Sequence, residues 1–303
     1  MKKIIVLLLL VSYFIGFSQE KTDWEKEKLN GNVRSVRECS YHVILVDEHV
    51  QQGAIDPFMP NIFTEFDPGG KYLLKEKYDK NNQRIEKWTY VYPQNLKMTE
   101  IKVTNKEGKV FLSIISAFDD KGNLKDIRFY NENNQITRNV VYKYDKKNRK
   151  IEHRVVDKGV LNERFTYKYN SKNEIVEQHS YFANGQIAQK WIMEHDKNQH
   201  RTKVSEFNHK NQLNKVTYNT YDTQKNLINQ QEVDENENLQ SEETIAYDTY
   251  NNEVERTRNA SKEGTLHRKI EYTYDIQGNW TKKIHYLNQK PIKITQRELI
   301  YFP

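Results

Sequence analysis

One cysteine, Cys39, stands in 303 residues, so no intramolecular disulfide can brace the fold. Beyond residue 15 there is no second long apolar run, which leaves no candidate for a helical membrane span after the N-terminus. Signatures of covalent, metal and nucleotide chemistry are missing as well. There is no Gly-x-Ser-x-Gly elbow, no His-Glu-x-x-His pair and no phosphate-cradling Gly loop. No stretch carries an amphipathic helical period, and no linker or shift in composition marks a second domain. Hydrophobic residues make up only 36% and the mean hydropathy is −0.97, which is polar for a globular chain. Composition alone would suggest disorder. Against that stand 20 Tyr and 12 Phe, set at regular intervals, because aromatics of this size bring large buried areas.

Lys2 and Lys3 precede the apolar run Ile4 to Ile15, and Gly16 and Ser18 supply small residues at −3 and −1 of a cleavage site. Residues 1–18 therefore read as a signal peptide cut between Ser18 and Gln19. An uncleaved anchor is the alternative, disfavoured by the shortness of the run. The expected destination is the periplasm, the cell surface or the medium. Cleavage removes two Lys and no acid, so the net charge falls from +6 to +4. That reads as a solvated surface and argues against nucleic acid as a partner.

The rest is a repeat. An aromatic anchor is followed at once by a turn residue, usually Asp or Asn, by Gly or Asn four positions after the anchor, and by an aliphatic six after it. The clear anchors are Phe66, Tyr78, Phe118, Tyr130, Tyr144, Tyr169, Tyr181, Phe207, Tyr221, Tyr247 and Tyr274. Degraded copies lie at Tyr92, Thr104, Val156, His195, Val233, Ala260 and Tyr286. Steps of 12 to 14 residues alternate, so two steps form a unit of about 26. Asp or Asn at a turn start accepts from its own downstream backbone, and Gly or Asn further on tolerates positive φ. Asp119 with Gly122, Asn131 with Asn134, Asn170 with Asn173 and Asp275 with Gly278 show the pairing, and Asp145 and Gly185 fill the same places elsewhere. Runs such as Ile136 to Tyr144 between the turns are β-branched and aromatic and of strand length.

Even steps predict that the anchors share one sheet face. That face would hold Leu124, Tyr130, Ile136, Val140, Tyr142 and Tyr144, with Lys125, Thr137, Asn139 and Lys143 opposite, although Ile127, Phe129 and Val141 intrude. After Tyr78, Tyr144 and Tyr247 the aliphatic comes one residue late (Ile85, Ile151, Val254), which predicts an extra residue or a bulge in those turns. Residues 19–65 read as an N-terminal segment: a charged stretch with Trp24 as a docking aromatic, a first strand over Gly31 to Val46, and a long loop over Asp47 to Asn61. Residues 66–303 form the hairpin array, one domain with the preceding strand.

The expected fold is all-β, an antiparallel hairpin array curled into an open spiral, a tube or a two-layer stack, since a sheet with one apolar face must cover it. A membrane barrel is disfavoured by short strands and a polar face with no continuous lipid-facing band.

Tyr144-Asp145, Tyr221-Asp222, Tyr247-Asp248, Tyr274-Asp275 with Gly278-Asn279, and Phe118-Asp119 with Gly122-Asn123 together resemble the RHS or YD repeat of bacterial envelope proteins and toxins, over roughly residues 66–290. The resemblance implies strips of antiparallel hairpins that curl into shells, which in the largest members wrap a toxin, and a family often described as sugar-binding. This chain has a slightly longer unit, Asn often replaces Gly, and about nine units are few for a large closed shell. Tyr181-Phe-Ala-Asn-Gly-Gln-Ile187 also resembles MORN-type repeats.

Chemistry-bearing groups are sparse. His195 and His200 form the one close histidine pair, but His195 occupies an anchor position, and a substituted repeat explains it better than a metal site. Asp234 to Asn238 alternates oxygen ligands as the start of a calcium loop does, yet lacks the Gly and the closing Glu. Glu242 and Glu243 are adjacent and on a strand would face opposite sides, whereas two-carboxylate catalysis needs convergence. The sequence thus points to no catalytic residue, metal or cofactor. The expected role is a non-enzymatic binding module with a glycan or another surface protein as partner. A structural or protein-interaction scaffold, including one that neutralises a partner protein, is the alternative, and a hydrolase ranks third. Tyr rows serve either as cross-strand packing or, at a groove, as stacking platforms.

Overall fold

The computed structural model describes residues 22–59, 61–93 and 98–303. The signal-peptide reading falls outside these. One helical turn, α1 (Asp23–Lys26), precedes the strands β1 (Val33–Val46), β2 (His49–Ile55), β3 (Asn61–Phe66), β4 (Tyr72–Tyr78), β5 (Arg84–Val91), β6 (Met98–Asn105) and β7 (Val110–Phe118). There follow β8 (Leu124–Asn131), β9 (Ile136–Tyr144), β10 (Lys150–Asp157), β11 (Val160–Tyr169), β12 (Ile175–Tyr181), β13 (Ile187–His195) and β14 (Arg201–Phe207). The last are β15 (Leu213–Tyr221), β16 (Leu227–Asp234), β17 (Leu239–Tyr247), β18 (Glu253–Ala260), β19 (Gly264–Tyr274), β20 (Trp280–Leu287) and β21 (Lys290–Tyr301).

From β3 to β21 each strand pairs antiparallel with the next in the chain, as β7 with β8 and β20 with β21. β1 then lies between β21 and β3, with Glu38 opposite both Arg297 and Ile62. The result is a closed barrel of 20 strands. Of the three expected shapes the tube is the one formed, and it closes despite the small number of units. Twenty strands enclose a lumen too wide for side chains to fill, so the wall has two lined faces rather than one thick core.

The turns follow the sequence logic. Asp119 Oδ1 accepts from the amides of Lys121 and Asn123, 2.9 and 2.8 Å away. The fourth residue after the anchor has positive φ at Gly122 (+80), Asn134 (+59), Asn173 (+66), Gly185 (+85) and Gly278 (+81). Gln199, Lys225 and Glu237 hold the same conformation at their turns, so the hydrogen bonding of the turn imposes it even where the side chain does not favour it. The copies at Val156 and Tyr286 are instead followed by two-residue turns, Lys158-Gly159 and Asn288-Gln289, with both residues at positive φ. Asp47-Glu48 forms a third such turn. It folds His49 to Ile55 back onto the end of β1, where a long loop was expected.

The expectation that all anchors share a face fails, for a local reason. Phe118 stands opposite Leu124, but Ala117 stands opposite Asp126. One extra residue sits on the outgoing strand, and the same shift recurs at Tyr144 and Tyr169. The bulge reverses the alternation, so an even step delivers the next anchor on the other face. Tyr130 consequently shares the face of Arg128 and Asp126, while Ile127 stands opposite Val140 on the face of Phe129 and Tyr142. The turns after Tyr78, Tyr144 and Tyr247 are no longer than the others. Arg84, Lys150 and Glu253 take the paired position, and Ile85, Ile151 and Val254 occupy the bulge.

Strand alternation divides the anchors by rim. At the near rim, where β3, β7, β9, β11, β13, β15, β17 and β19 end, Phe66, Phe118, Tyr144, Tyr169, Tyr221, Tyr247 and Tyr274 lie on one face. At the far rim Tyr78, Tyr130, Tyr181 and Phe207 lie on the other. The first face is the inner one. The strand residues that line the hollows at β13 to β16 and at β1, β3, β4 and β21 all belong to it, as convergence of side chains inside a curved sheet requires. The outer face carries Glu100, Lys102, Arg128, Arg154, Glu242 and Lys269 within its strands, where a lipid-facing barrel has an apolar band. Among the described residues no helix is long and apolar enough to cross a membrane.

The N-terminal segment secures the seam. Thr22 caps α1, and Trp24 lies over Gly70, its indole N–H donating to Val33 O at 2.7 Å. Asn30 and Asn279 exchange two hydrogen bonds of 2.8 Å, so the segment spans β1 from the β3–β4 turn to the β19–β20 turn. Leu29, Val33, Val36 and Phe66 are buried beneath it with Trp24 and Tyr72 packed alongside.

Candidate functional site

The near-rim anchors are first of all structural. Tyr144, Tyr169, Tyr221 and Tyr247 donate to the backbone carbonyls of Leu124, Lys150, Arg201 and Leu227 at 2.9, 2.7, 3.1 and 3.1 Å. Tyr274 and Tyr301 donate to the turn carboxylates of Asp248 and Asp275. Each unit is thereby pinned to the one before it. Burial raises the Tyr144 and Tyr169 hydroxyls to about 12, so they remain protonated donors. The far-rim anchors pack outside, as Tyr181 does under Arg164, 4.4 Å from guanidinium to ring centre.

Between β13 and β16 the inner wall holds a hollow of about 590 Å³. Its apolar side is Trp191, Val204 and Leu227. Trp191 ends an arc of rings along β9 to β13: Phe165 lies 6.5 Å from it, His153 4.9 Å from Phe165, and Tyr167 and Tyr142 6.0 and 6.2 Å from His153. Burial holds His153 neutral, its pKa pushed down to about 4. Its Nδ1 lies 2.8 Å from the Tyr167 hydroxyl.

The other side of the hollow is polar. Glu206 accepts from the Trp191 indole at 3.2 Å, Lys215 pairs with Glu232 at 2.7 Å, and Gln230 donates to Asn219 at 2.9 Å. The Lys215 ammonium holds Glu232 below the usual carboxylate range. His200 stacks on Tyr221 with ring centres 4.9 Å apart, and its Nδ1 meets Asp196 at 3.0 Å. Buried nitrogens His195 Nδ1 and His200 Nε2 have no hydrogen-bond partner among the described residues. Desolvation lowers the His195 pKa, which leaves that ring neutral and able to accept.

Two sequence candidates, Tyr221 and the degraded anchor His195, thus meet at this hollow. His195 and His200 come together there, but with no third ligand: among the described residues no group of three His, Cys, Asp or Glu is placed to hold a metal. Asp234 makes a turn of the repeat type, accepting from the amides of Asn236 and Asn238 at 2.9 Å each. Trp191, Glu206, Lys215 and Glu232 escaped the sequence reading. They lie on four neighbouring strands, β13 to β16, and only the register with its bulges puts them on one face.

No family model matches the chain, and no curated protein matches it. Among solved structures, a porin-like protein from Bacteroides uniformis is similar at 9% identity and a TM-score of 0.38, over 89% of this chain and 98% of that one. TcdB2-TccC3-Cdc42 is similar at 10% identity and 0.29, over 85% of this chain and 18% of that one. TcdB2-TccC3 is similar at 11% and 0.32, over 84% and 18%, so this chain spans less than a fifth of those two. Likeness at this level carries no argument about family, chemistry or partners.

Proposed function

We propose that the protein is an exported, non-enzymatic binding module of the cell envelope or extracellular space, built from RHS/YD-like repeats, and that it holds a glycan against its inner wall beside Trp191. The observation that carries this reading is the meeting of an aromatic arc with a fixed polar cluster in one hollow. An indole face suits the C–H face of a sugar ring. Glu206, Glu232, Lys215 and Gln230 offer acceptors and donors for its hydroxyls, as in binding pockets with few, convergent polar groups. The period, the Asp-led turns and the hairpin tube favour the repeat assignment. The scaffold reading draws on the same tube and needs no hollow.

The test uses the mature chain recovered from the envelope or the medium and sequenced from its N-terminus. Glycan-array binding would select a ligand and calorimetry would follow it. Trp191→Ala is expected to weaken binding at least tenfold, and Tyr218→Ala, on the outer face, to leave it within twofold. An intact Met1 would overturn export. Absence of any glycan ligand, or equal effects of the two substitutions, would overturn the binding site and leave the scaffold.

A further inference from the structure

Positive charge is concentrated rather than spread. Residues 138–172 contain eleven Lys or Arg against four Asp or Glu, a net +7, while the whole chain carries +6. On the outer face of β8 to β11 the register sets Asp126 opposite Val141, Val141 opposite Arg154, Arg154 opposite Arg164, and Lys143 opposite Glu152. Like charges directly opposite one another are unfavourable on a sheet. Here Arg154 and Arg164 are reconciled by one carboxylate. Glu152 lies 2.9 Å from Arg154 Nε, 2.9 Å from Arg164 Nη2 and 3.2 Å from Lys143 Nζ. Arg128 meets Asp126 at 2.8 Å.

Exposure decides what a partner would meet. The Glu152 and Asp126 side chains are 9% and 6% exposed, against 54%, 39%, 34% and 41% for Lys143, Arg154, Arg164 and Arg128. The carboxylates are sunk into the wall and the cationic heads stand above them. Farther along β11 Lys168, paired with Glu177 at 2.6 Å, is 68% exposed, and Lys146, Lys147 and Lys172 are exposed at the adjoining near rim. Structure needs one cation for Glu152; three exceed that requirement. Neighbouring strands are about 4.8 Å apart, so the heads form a row around the wall.

We propose that this outer stripe on β8 to β11 docks an acidic polysaccharide. A chain of carboxylate or sulfate groups can follow the row around a convex wall, drawn by the positive charge in excess of Asp126 and Glu152 and meeting the ammonium and guanidinium N–H donors that those two carboxylates leave unoccupied. A flat membrane would touch such a wall only along a narrow line. The site lies on the opposite face of the wall from the hollow beside Trp191 and stands independently of it.

Binding of polygalacturonate to the mature chain tests the proposal, with anionic phosphatidylglycerol vesicles and duplex DNA as competing probes. The variant Glu152→Gln, Arg154→Gln, Arg164→Gln removes the cluster without stranding a carboxylate. The variant Lys143→Gln, Lys168→Gln touches only exposed heads and keeps the proposal testable if the first variant fails to fold. Lys203→Gln with Lys269→Gln removes the same charge from distant strands. Each stripe variant is expected to weaken binding about tenfold or more and to flatten its salt dependence, as loss of ion-releasing contacts does. The distant pair should stay within twofold of wild type. Unchanged affinity in the exposed-lysine variant, an equal loss in the distant pair, or tighter binding to vesicles or DNA than to polygalacturonate would each overturn it.

Discussion

Replacing Gly70 by Ala separates two costs that glycine avoids. Gly70 and Gly122 hold nearly the same backbone, φ +79 and +80. A β-carbon at Gly122 would meet nothing within 4 Å, whereas at Gly70 it would lie 2.6 Å from Trp24 Cδ2 and Cε3. Left-handed strain costs about 1 kcal/mol in either place. At Gly70 the indole must also move, losing its 2.7 Å hydrogen bond to Val33 O and its packing on Phe66, 6.3 Å between ring centres. Overpacking costs roughly 1–3 kcal/mol, and loss of a fully buried aromatic roughly 3–5 kcal/mol, of which the half-buried Trp24 forfeits a part. Gly70→Ala is therefore expected to destabilise by about 3–5 kcal/mol and Gly122→Ala by about 1 kcal/mol. In a Trp24→Ala background the Gly70 change should shrink to about 1 kcal/mol, a coupling that a double-mutant cycle measures. Urea unfolding followed by circular dichroism is the assay. Equal midpoints for the two glycine variants, or additivity with Trp24→Ala, would refute the account of the N-terminal segment as the clasp of the barrel seam.

Tyr144→Ala removes a half-buried inward ring and its bond to Leu124 O, and is expected to cost about 2–4 kcal/mol. Lys143→Ala, outward and 54% exposed in its pair with Glu152, should cost no more than about 1 kcal/mol; two equally mild variants would contradict the two-faced wall. Acid should loosen the barrel before its carboxylates titrate. Burial pushes His153 and His285 from the usual 6.5 down to about 4. The unfolded chain then takes up protons first, so their stabilising contribution is complete above pH 6.5 and is lost as pH falls from there toward 4. Melting temperatures at pH 7.5, 6.0 and 5.0 should decline in that order, and a flat profile would show that these imidazoles are not buried.

The sequence by itself determined the local chemistry of this protein. The period, the place of most turns, the Asp or Asn that opens them and the positive φ four residues after the anchor depend on hydrogen bonds spanning a handful of neighbours, and they read directly from Phe118 to Leu124 or Tyr274 to Trp280. Even Lys225 and Glu237 adopt the conformation that Gly122 suits. What only the tertiary structure decided is which way each side chain points and how the array ends. A bulge at most of the turns adds one residue to one strand, and that residue sends Tyr130 outward and Tyr144 inward. A late aliphatic marks it only at Ile85, Ile151 and Val254; elsewhere the extra residue is as varied as Lys125, Thr137 and Val176, and the aliphatic before it keeps its usual place. Closure likewise lies beyond local pattern. β1 bridges β21 and β3 only because the accumulated stagger of the strands brings residues 294–301 and 62–65 to its two edges. The hollow beside Trp191 and the cationic stripe outside follow from that same register, which is a property of the whole ring.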